Sequence, residues 1–247
     1  MSKNDKHNNK TIFANWKMHF TESEAISFCK NLSQAITKQP DIAEKLVLAP
    51  PLIYISLINH LFPNITLAAQ DVSCSPKNYG AFTGEVSAHM LASANVRYII
   101  IGHFERRKYH NETACIINTK INNALANNII PIVCFGEESI HDNPLQELIK
   151  VKQYSEQPII YAYEPYWAIG NKNFQPEQIS RNLIILEQYL KNDQYAKYHT
   201  LIYGGSVNSQ NINQLKDMKI LDGILIGGAS LDLDELLKIL QILTILN

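Results

Sequence analysis

Glu164 closes the apolar run Tyr161-Ala162-Tyr163 and is followed by Pro165-Tyr166-Trp167. A carboxylate at an apolar strand end beside bulky aromatics suits a general base; an ion pair with a nearby lysine or arginine is the plainer use of the same residue. His103 follows Tyr98-Ile99-Ile100-Ile101-Gly102, which places an imidazole nitrogen where it can donate to a substrate oxygen. A single histidine is more often a packed or surface residue. Lys17, two places after Asn15, offers positive charge to an anionic substrate and to a developing oxyanion, or is simply a solvated surface lysine. Glu105 is suited to holding that lysine, or to joining Arg106 and Arg107 in a peripheral salt-bridge cluster. Gly204-Gly205-Ser206 and Gly227-Gly228 are turns whose backbone N–H groups can approach a phosphate closely, or only tight strand-to-helix turns.

Each of these groups follows an apolar segment. Eight such segments recur: Thr11–Trp16, Lys45–Ala49, Ile65–Gln70, Arg97–Gly102, Ile129–Phe135, Pro158–Tyr163, Thr200–Gly204 and Gly223–Gly227. Near-continuous Ile, Val, Leu and Ala without polar alternation is the pattern of strands covered on both faces, hence of a parallel sheet wrapped by helices. Between them the spacing predicts helices. The clearest starts at Thr21 with Glu24 three residues on, a capping box, and sets Ile26, Cys29, Leu32 and Ile36 on one face. Others are predicted over Leu52–Leu61, Ser87–Ser93, Glu112–Asn127, Pro144–Tyr154, Pro176–Leu190, Asn208–Met218 and Leu231–Ile245.

Strand and helix alternating eight times, with no Gly/Pro/Ser-rich linker, predict one α/β domain built as a closed (β/α)8 barrel over residues 11–247, after a polar N-terminal extension at 1–10. An open doubly wound sheet is the rival, but Asn15-Trp16-Lys17-Met18-His19 after the first strand is no G-x-G-x-x-G, so a dinucleotide site there is unsupported. In such a barrel, residues just after strand ends converge on one mouth.

Composition bounds the ligand. The 22 basic and 23 acidic residues leave a formal net charge of −1, with no long-range pull toward nucleic acid or an anionic membrane, so a small metabolite is the better expectation. The four cysteines, Cys29, Cys74, Cys115 and Cys134, form no Cys-x-x-Cys pair and fit a reducing cytoplasm. The histidines show no metal-ligand spacing, so no metal is expected. The first ten residues lack the apolar core of a secretion signal, and the apolar stretch from Leu236 to Leu246 is too short and too interrupted to span a bilayer.

Seven blocks carry a family resemblance: Asn15-Trp16-Lys17-Met18, Gly80-Ala81-Phe82-Thr83-Gly84-Glu85, Gly102-His103-x-Glu105-Arg106-Arg107, Cys134-x-Gly136-Glu137, Ala162-Tyr163-Glu164-Pro165-x-Trp167-Ala168-Ile169-Gly170, Tyr203-Gly204-Gly205-Ser206-Val207 and Gly227-Gly228-Ala229-Ser230-Leu231. In this order they resemble the triosephosphate isomerase family from near the start of the chain to its end. The resemblance implies interconversion of dihydroxyacetone phosphate and D-glyceraldehyde 3-phosphate through an enediolate, in glycolysis and gluconeogenesis, with no cofactor. It implies that Asn15 and Lys17 contact substrate, His103 polarises the carbonyl and Glu164 shuttles the proton. Backbone N–H groups of Gly170, Ser206, Gly227 and Gly228 would hold the phosphate, Gly170 on a lid running from Pro165 to about Phe174. It further implies a cytoplasmic homodimer joined through the loop 71–85, with Thr83 near Asn15 and Lys17 of the partner subunit.

Three places depart from the family pattern. Phe104 stands where a small serine usually follows the histidine, and its ring is expected to restrict where Glu164 rests. The lid reads Ile169-Gly170-Asn171-Lys172-Asn173-Phe174, lacking a common second glycine and one residue, so its hinge is expected to differ. The stretch from Glu137 to Glu164 is short, which trims the fifth helix and its loops. Two other functions stay open on the sequence: a binding protein that keeps the site but turns over poorly, and another phosphosugar barrel enzyme, which would share the phosphate turns without Asn15, Lys17, His103 and Glu164 together.

Overall fold

The computed structural model describes residues 10–170, 174–192 and 194–244. Eight parallel strands pair in chain order and close on themselves: β1 (Thr11–Asn15), β2 (Leu46–Ala49), β3 (Thr66–Ala69), β4 (Tyr98–Ile101), β5 (Ile130–Phe135), β6 (Ile159–Tyr163), β7 (His199–Gly204) and β8 (Gly223–Ile226). Closure is made by Thr11 opposite Gly223 and Ala14 opposite Ile226. Each strand falls within about one residue of its predicted segment, because an apolar run bounded by polar residues is enough to mark a strand buried on both faces.

Period-two alternation divides those apolar residues between two cores. Phe13, Val47, Ala68, Ile100, Ile132, Cys134, Ala162, Ile202 and Leu225 point into the barrel and fill it. Ile12, Leu48, Ile99, Val133, Tyr161 and Ile224 point outward and pack under the helices. The inside is therefore a solid plug that holds the strand ends in place, and only the loops beyond it can form a cavity.

The helices around the strands are α1 (Glu22–Thr37), α2 (Pro40–Ala43), α3 (Leu52–Leu61), α4 (Ala88–Ser93), α5 (Phe104–His110), α6 (Ala114–Ala126), α7 (Leu145–Val151), α8 (Pro176–Lys191), α9 (Ile212–Lys216) and α10 (Leu233–Thr244). At the start of α1 the Thr21 N–H donates to the Glu24 carboxylate at 2.7 Å, as the capping box predicts. Its buried face is Ala25, Phe28, Cys29, Leu32 and Ile36. Ile26 is only half-buried, because Phe28 packs against Trp16 with ring centroids 5.0 Å apart and rotates the face toward itself.

Two helices are shorter than their periodicity. In α7, Lys152 is extended and Gln153 N–H turns inward to donate to the Tyr161 hydroxyl at 2.9 Å. Before α9, the Asn208 side chain accepts from the N–H groups of Gln210 and Asn211, at 2.9 and 3.1 Å, which delays the helix. The predicted last helix ends at Ile245, outside the described residues.

Candidate active site

The loops at the C-terminal ends of the strands enclose a cavity of about 410 Å³. Asn15, Lys17, His103, Glu164, Gly170, Ser206, Gly227 and Gly228 all line it. These come from the ends of β1, β4, β6, β7 and β8, so the convergence expected of a barrel holds for them. Thr83 lies elsewhere, on an exposed loop, and Glu105 reaches the site through Lys17 and His103.

Lys17 holds a left-handed backbone at φ 54, an uncommon conformation for a residue with a side chain and one found at functional sites. Its N–H donates to Asn15 Oδ1 at 2.9 Å. Gln70 fixes the same turn from β3, donating from Nε2 to the carbonyls of Lys17 and Ala49 at 2.8 and 2.9 Å. Lys17 Nζ then meets Glu105 Oε1 at 2.6 Å. Of the two uses open to Glu105, the structure therefore shows the pair with Lys17. Arg106 bridges Asp71 and Glu112, each at 2.8 Å, and Arg107 pairs with Glu147 at 3.2 Å.

His103 is 6% exposed and caps α5. Its Nδ1 accepts the Glu105 backbone N–H at 3.2 Å. A nitrogen that accepts carries no proton, so the ring's remaining proton sits on Nε2. That atom faces Glu164 Oε1 at 3.6 Å, beyond a good hydrogen bond. The helix itself escaped the sequence reading because Phe104–His110 has no buried residue and hence no apolar stripe. Its signals are electrostatic, with Glu105 in the first turn and Arg107, Lys108 and His110 in the last.

Glu164 is 3% exposed. Two glycines shape its seat. A Cβ on Gly136 would lie 1.9 Å from the Glu164 carbonyl oxygen, and a Cβ on Gly204 would lie 2.7 Å from its Cγ. The backbone and the side chain of Glu164 thus rest against strands β5 and β7. Its Oε1 is the oxygen nearest His103, and its Oε2 is buried with no oxygen or nitrogen donor among the described residues. Beneath it the Cys134 thiol is pushed well up by burial and by the carboxylate's charge, and burial likewise raises Tyr203. Both stay neutral and put no competing anion beside Glu164.

Glu137 was not singled out by sequence and is the hub behind the base. Its Oε1 accepts from the Tyr163 hydroxyl at 2.6 Å, Trp167 Nε1 at 2.8 Å and Asn182 Nδ2 at 3.2 Å. Ser206 Oγ donates to the Ala168 carbonyl at 3.0 Å, tying the β7 turn to the segment after Glu164. The Phe104 ring lies against Tyr166, with centroids 4.6 Å apart. Of the expected lid, residues 171–173 lie outside those described, and Gly170 has φ 68, a left-handed conformation.

Among the described residues no group of three or more histidine, cysteine or carboxylate side chains is arranged to hold a metal ion. No helix among them is long and apolar enough to cross a membrane. The arrangement can hold an anion at the glycine turns and present a carboxylate and an N–H donor side by side to one small molecule in the cavity.

A sequence profile described as triosephosphate isomerase matches residues 10–243. The chain is 37% identical over 244 residues to the triosephosphate isomerase of Mesomycoplasma hyorhinis, covering 94% of this chain and 97% of that protein. It is 34% identical over 249 residues to that of Porphyromonas gingivalis strain ATCC 33277, covering 93% and 97%. The crystal structure of triosephosphate isomerase from Bartonella henselae superposes with a TM-score of 0.81 at 26% identity, covering 94% of this chain and 97% of that one.

Proposed function

The chain belongs to the triosephosphate isomerase family, and we infer that in this isomerase Glu164 is the proton shuttle and His103 the electrophile. The substrate is a triose phosphate, dihydroxyacetone phosphate in one direction and D-glyceraldehyde 3-phosphate in the other, a step of glycolysis. Glu164 removes a proton from the carbon beside the carbonyl. His103 donates from Nε2 to the carbonyl oxygen as it gains negative charge. The enediolate so formed passes its hydroxyl proton from one oxygen to the other by way of His103 Nε2 and takes the carbon-bound proton back from Glu164 on the neighbouring carbon, so that carbonyl and hydroxyl exchange places.

The observation that carries this reading is the 3.6 Å between His103 Nε2 and Glu164 Oε1 in one cavity with Lys17. Lys17 and Asn15 contact the substrate, and the ammonium lowers the energy of the enediolate, where charge develops. Backbone N–H groups of Gly170, Ser206, Gly227 and Gly228 hold the phosphate. Glu105 supports Lys17. The reaction needs no cofactor, because the proton returns to the molecule it left.

The chain forms one barrel domain over residues 11–247 and works as a cytoplasmic homodimer. The loop 71–85 supports the dimer: Tyr79 and Phe82 are exposed there at 67% and 42%, and Met18 beside the site is exposed at 95%. Large apolar side chains left exposed suit a protein interface. Thr83, on the same loop, then approaches Asn15 and Lys17 of the partner subunit.

The test is the steady-state rate of glyceraldehyde 3-phosphate isomerisation, coupled to a dehydrogenase that consumes dihydroxyacetone phosphate. Glu164→Gln is expected to fold and to lose at least about 100-fold in turnover. Near-normal turnover in that variant would sink the assignment of the base. Sedimentation of the purified chain tests the dimer, and a monomer at micromolar concentration counts against it.

A further inference from the structure

Two aromatic side chains that the reaction scheme does not use meet beside the site. Phe104 follows His103 and is the first residue of α5. Tyr166 comes two places after Glu164 and opens the short 3-10 turn Tyr166–Ala168. Their ring centroids are 4.6 Å apart and their planes are inclined at 44°. Tilted rings at this separation attract beyond the area they bury. The contact reaches from the end of β4 to the end of β6, over the end of β5.

Each partner of the stack is also anchored elsewhere. Tyr166 N–H donates to the Glu137 carbonyl at 2.9 Å, and the adjoining Trp167 donates to the Glu137 carboxylate at 2.8 Å. Lys108 Nζ stands over the Phe104 ring, 5.5 Å from its centroid. The Tyr166 hydroxyl has no hydrogen-bond partner among the described residues. What Tyr166 contributes is therefore its ring.

Gly136 and Gly204 bound Glu164 from β5 and β7. Neither reaches toward His103, whose segment lies one strand further round the barrel. The turn that continues from Glu164 through Pro165 is tied to the histidine's segment by the two rings. The geometry points to Phe104 and Tyr166 as a pair of positioning residues that set the separation between His103 Nε2 and Glu164 Oε1, and with it the placement of electrophile and base on the substrate. The inference rests on the roles given above to those two groups. Misplacement of about 1 Å in such a site costs on the order of 100-fold in rate even when binding is untouched.

The experiment is steady-state isomerisation by the full chain carrying Phe104→Ala, Tyr166→Ala, both together, and the ring-keeping Tyr166→Phe, with Glu164→Gln alongside and thermal melts for each. Each alanine variant is expected to lose about 10- to 100-fold in kcat with KM within about twofold. The double variant loses no more than the worse single one, since both break one contact, and Tyr166→Phe stays within about threefold of the parent. The pair is refuted by alanine variants that keep kcat within about twofold while only their melting midpoints fall, by losses that multiply in the double variant, or by a Tyr166→Phe defect as deep as Tyr166→Ala. Should Phe104→Ala not fold, Phe104→Leu replaces it with the same expectation. Failure of the underlying roles reads differently, as turnover surviving Glu164→Gln, and overturns this inference too; an inactive Glu164→Gln beside a normal Phe104→Ala removes the pair alone.

Discussion

Lys17 Nζ and Glu105 Oε1 stand 2.6 Å apart, an ion pair that joins the end of β1 to the first turn of α5. Glu105 is also the residue whose backbone N–H is accepted by His103 Nδ1. One residue thus orients the cation with its side chain and the imidazole with its main chain.

Glu105→Gln keeps the backbone bond and removes the carboxylate charge that lies 2.6 Å from Lys17 Nζ and 3.5 Å from His103 Nδ1. Without the carboxylate, Lys17 loses the charge that aims it, and kcat/KM is expected to fall about 10-fold. The pair is partly exposed, at 29% and 39%, and contributes little to stability. Thermal melts beside the kinetics check this: a melting midpoint that drops with kcat/KM unchanged contradicts it.

Gly204→Ala puts a methyl group 2.7 Å from Glu164 Cγ. Either the carboxylate or the end of β7 must move. The expected outcome is a folded protein with kcat down about 100-fold, because the base is displaced from its seat. Kinetics of the purified variant decide it, and unaltered kcat would show the seat to be looser than the distance implies.

Glu137→Leu removes a buried acceptor shared by Tyr163, Trp167 and Asn182. Urea unfolding should report a loss of about 2–3 kcal/mol. A loss below about 1 kcal/mol would mean that these donors find other partners.

Cys29 and Cys134 are buried, while Cys74 and Cys115 are exposed. Burial pushes the Cys29 thiol from 9.0 up to about 12, so a thiol reagent near neutral pH should modify Cys74 and Cys115 first and the other two only on unfolding. Cys74 lies on the loop assigned to the dimer and should become protected as protein concentration rises. Full reactivity of Cys74 at high concentration argues against that interface.

The same shift sets an alkaline limit. Cys29 keeps its proton in the fold up to about 12 but releases it near 9.0 when unfolded. The unfolded chain binds fewer protons in that window, so this contribution to stability is whole below pH 9.0 and is lost as pH rises toward 12. Tyr163 and Tyr203, also raised by burial, act in the same direction. Urea midpoints should hold steady below pH 9.0 and decline above it, less steeply in Cys29→Ala.

What could be read from the chain alone depended on how local the signal was. Ile99-Ile100-Ile101 or Ile159-Ile160-Tyr161 announces a doubly covered strand by itself, and eight such runs dictate the barrel. Lys17, His103 and Glu164 were visible because each follows such a run. The helix Phe104–His110 was not visible, for its stability comes from the His103 cap and charge order and not from an apolar stripe. Gln70, Glu137 and Tyr166 were missed as parts of the site for another reason. Each works on a partner that is distant in the chain or through the course of the backbone, and residue types at fixed spacing carry no trace of that.

The unbroken hydrogen-bonded ring from β1 through β8 and back to β1 has a further consequence. An open sheet presents a row of unpaired N–H and C=O groups onto which another chain can add a strand. This barrel has none to offer, so its copies cannot be recruited into one another edge to edge. Recognition between molecules falls to the loops and helix faces, whose residues can change without loosening a rung of the ladder.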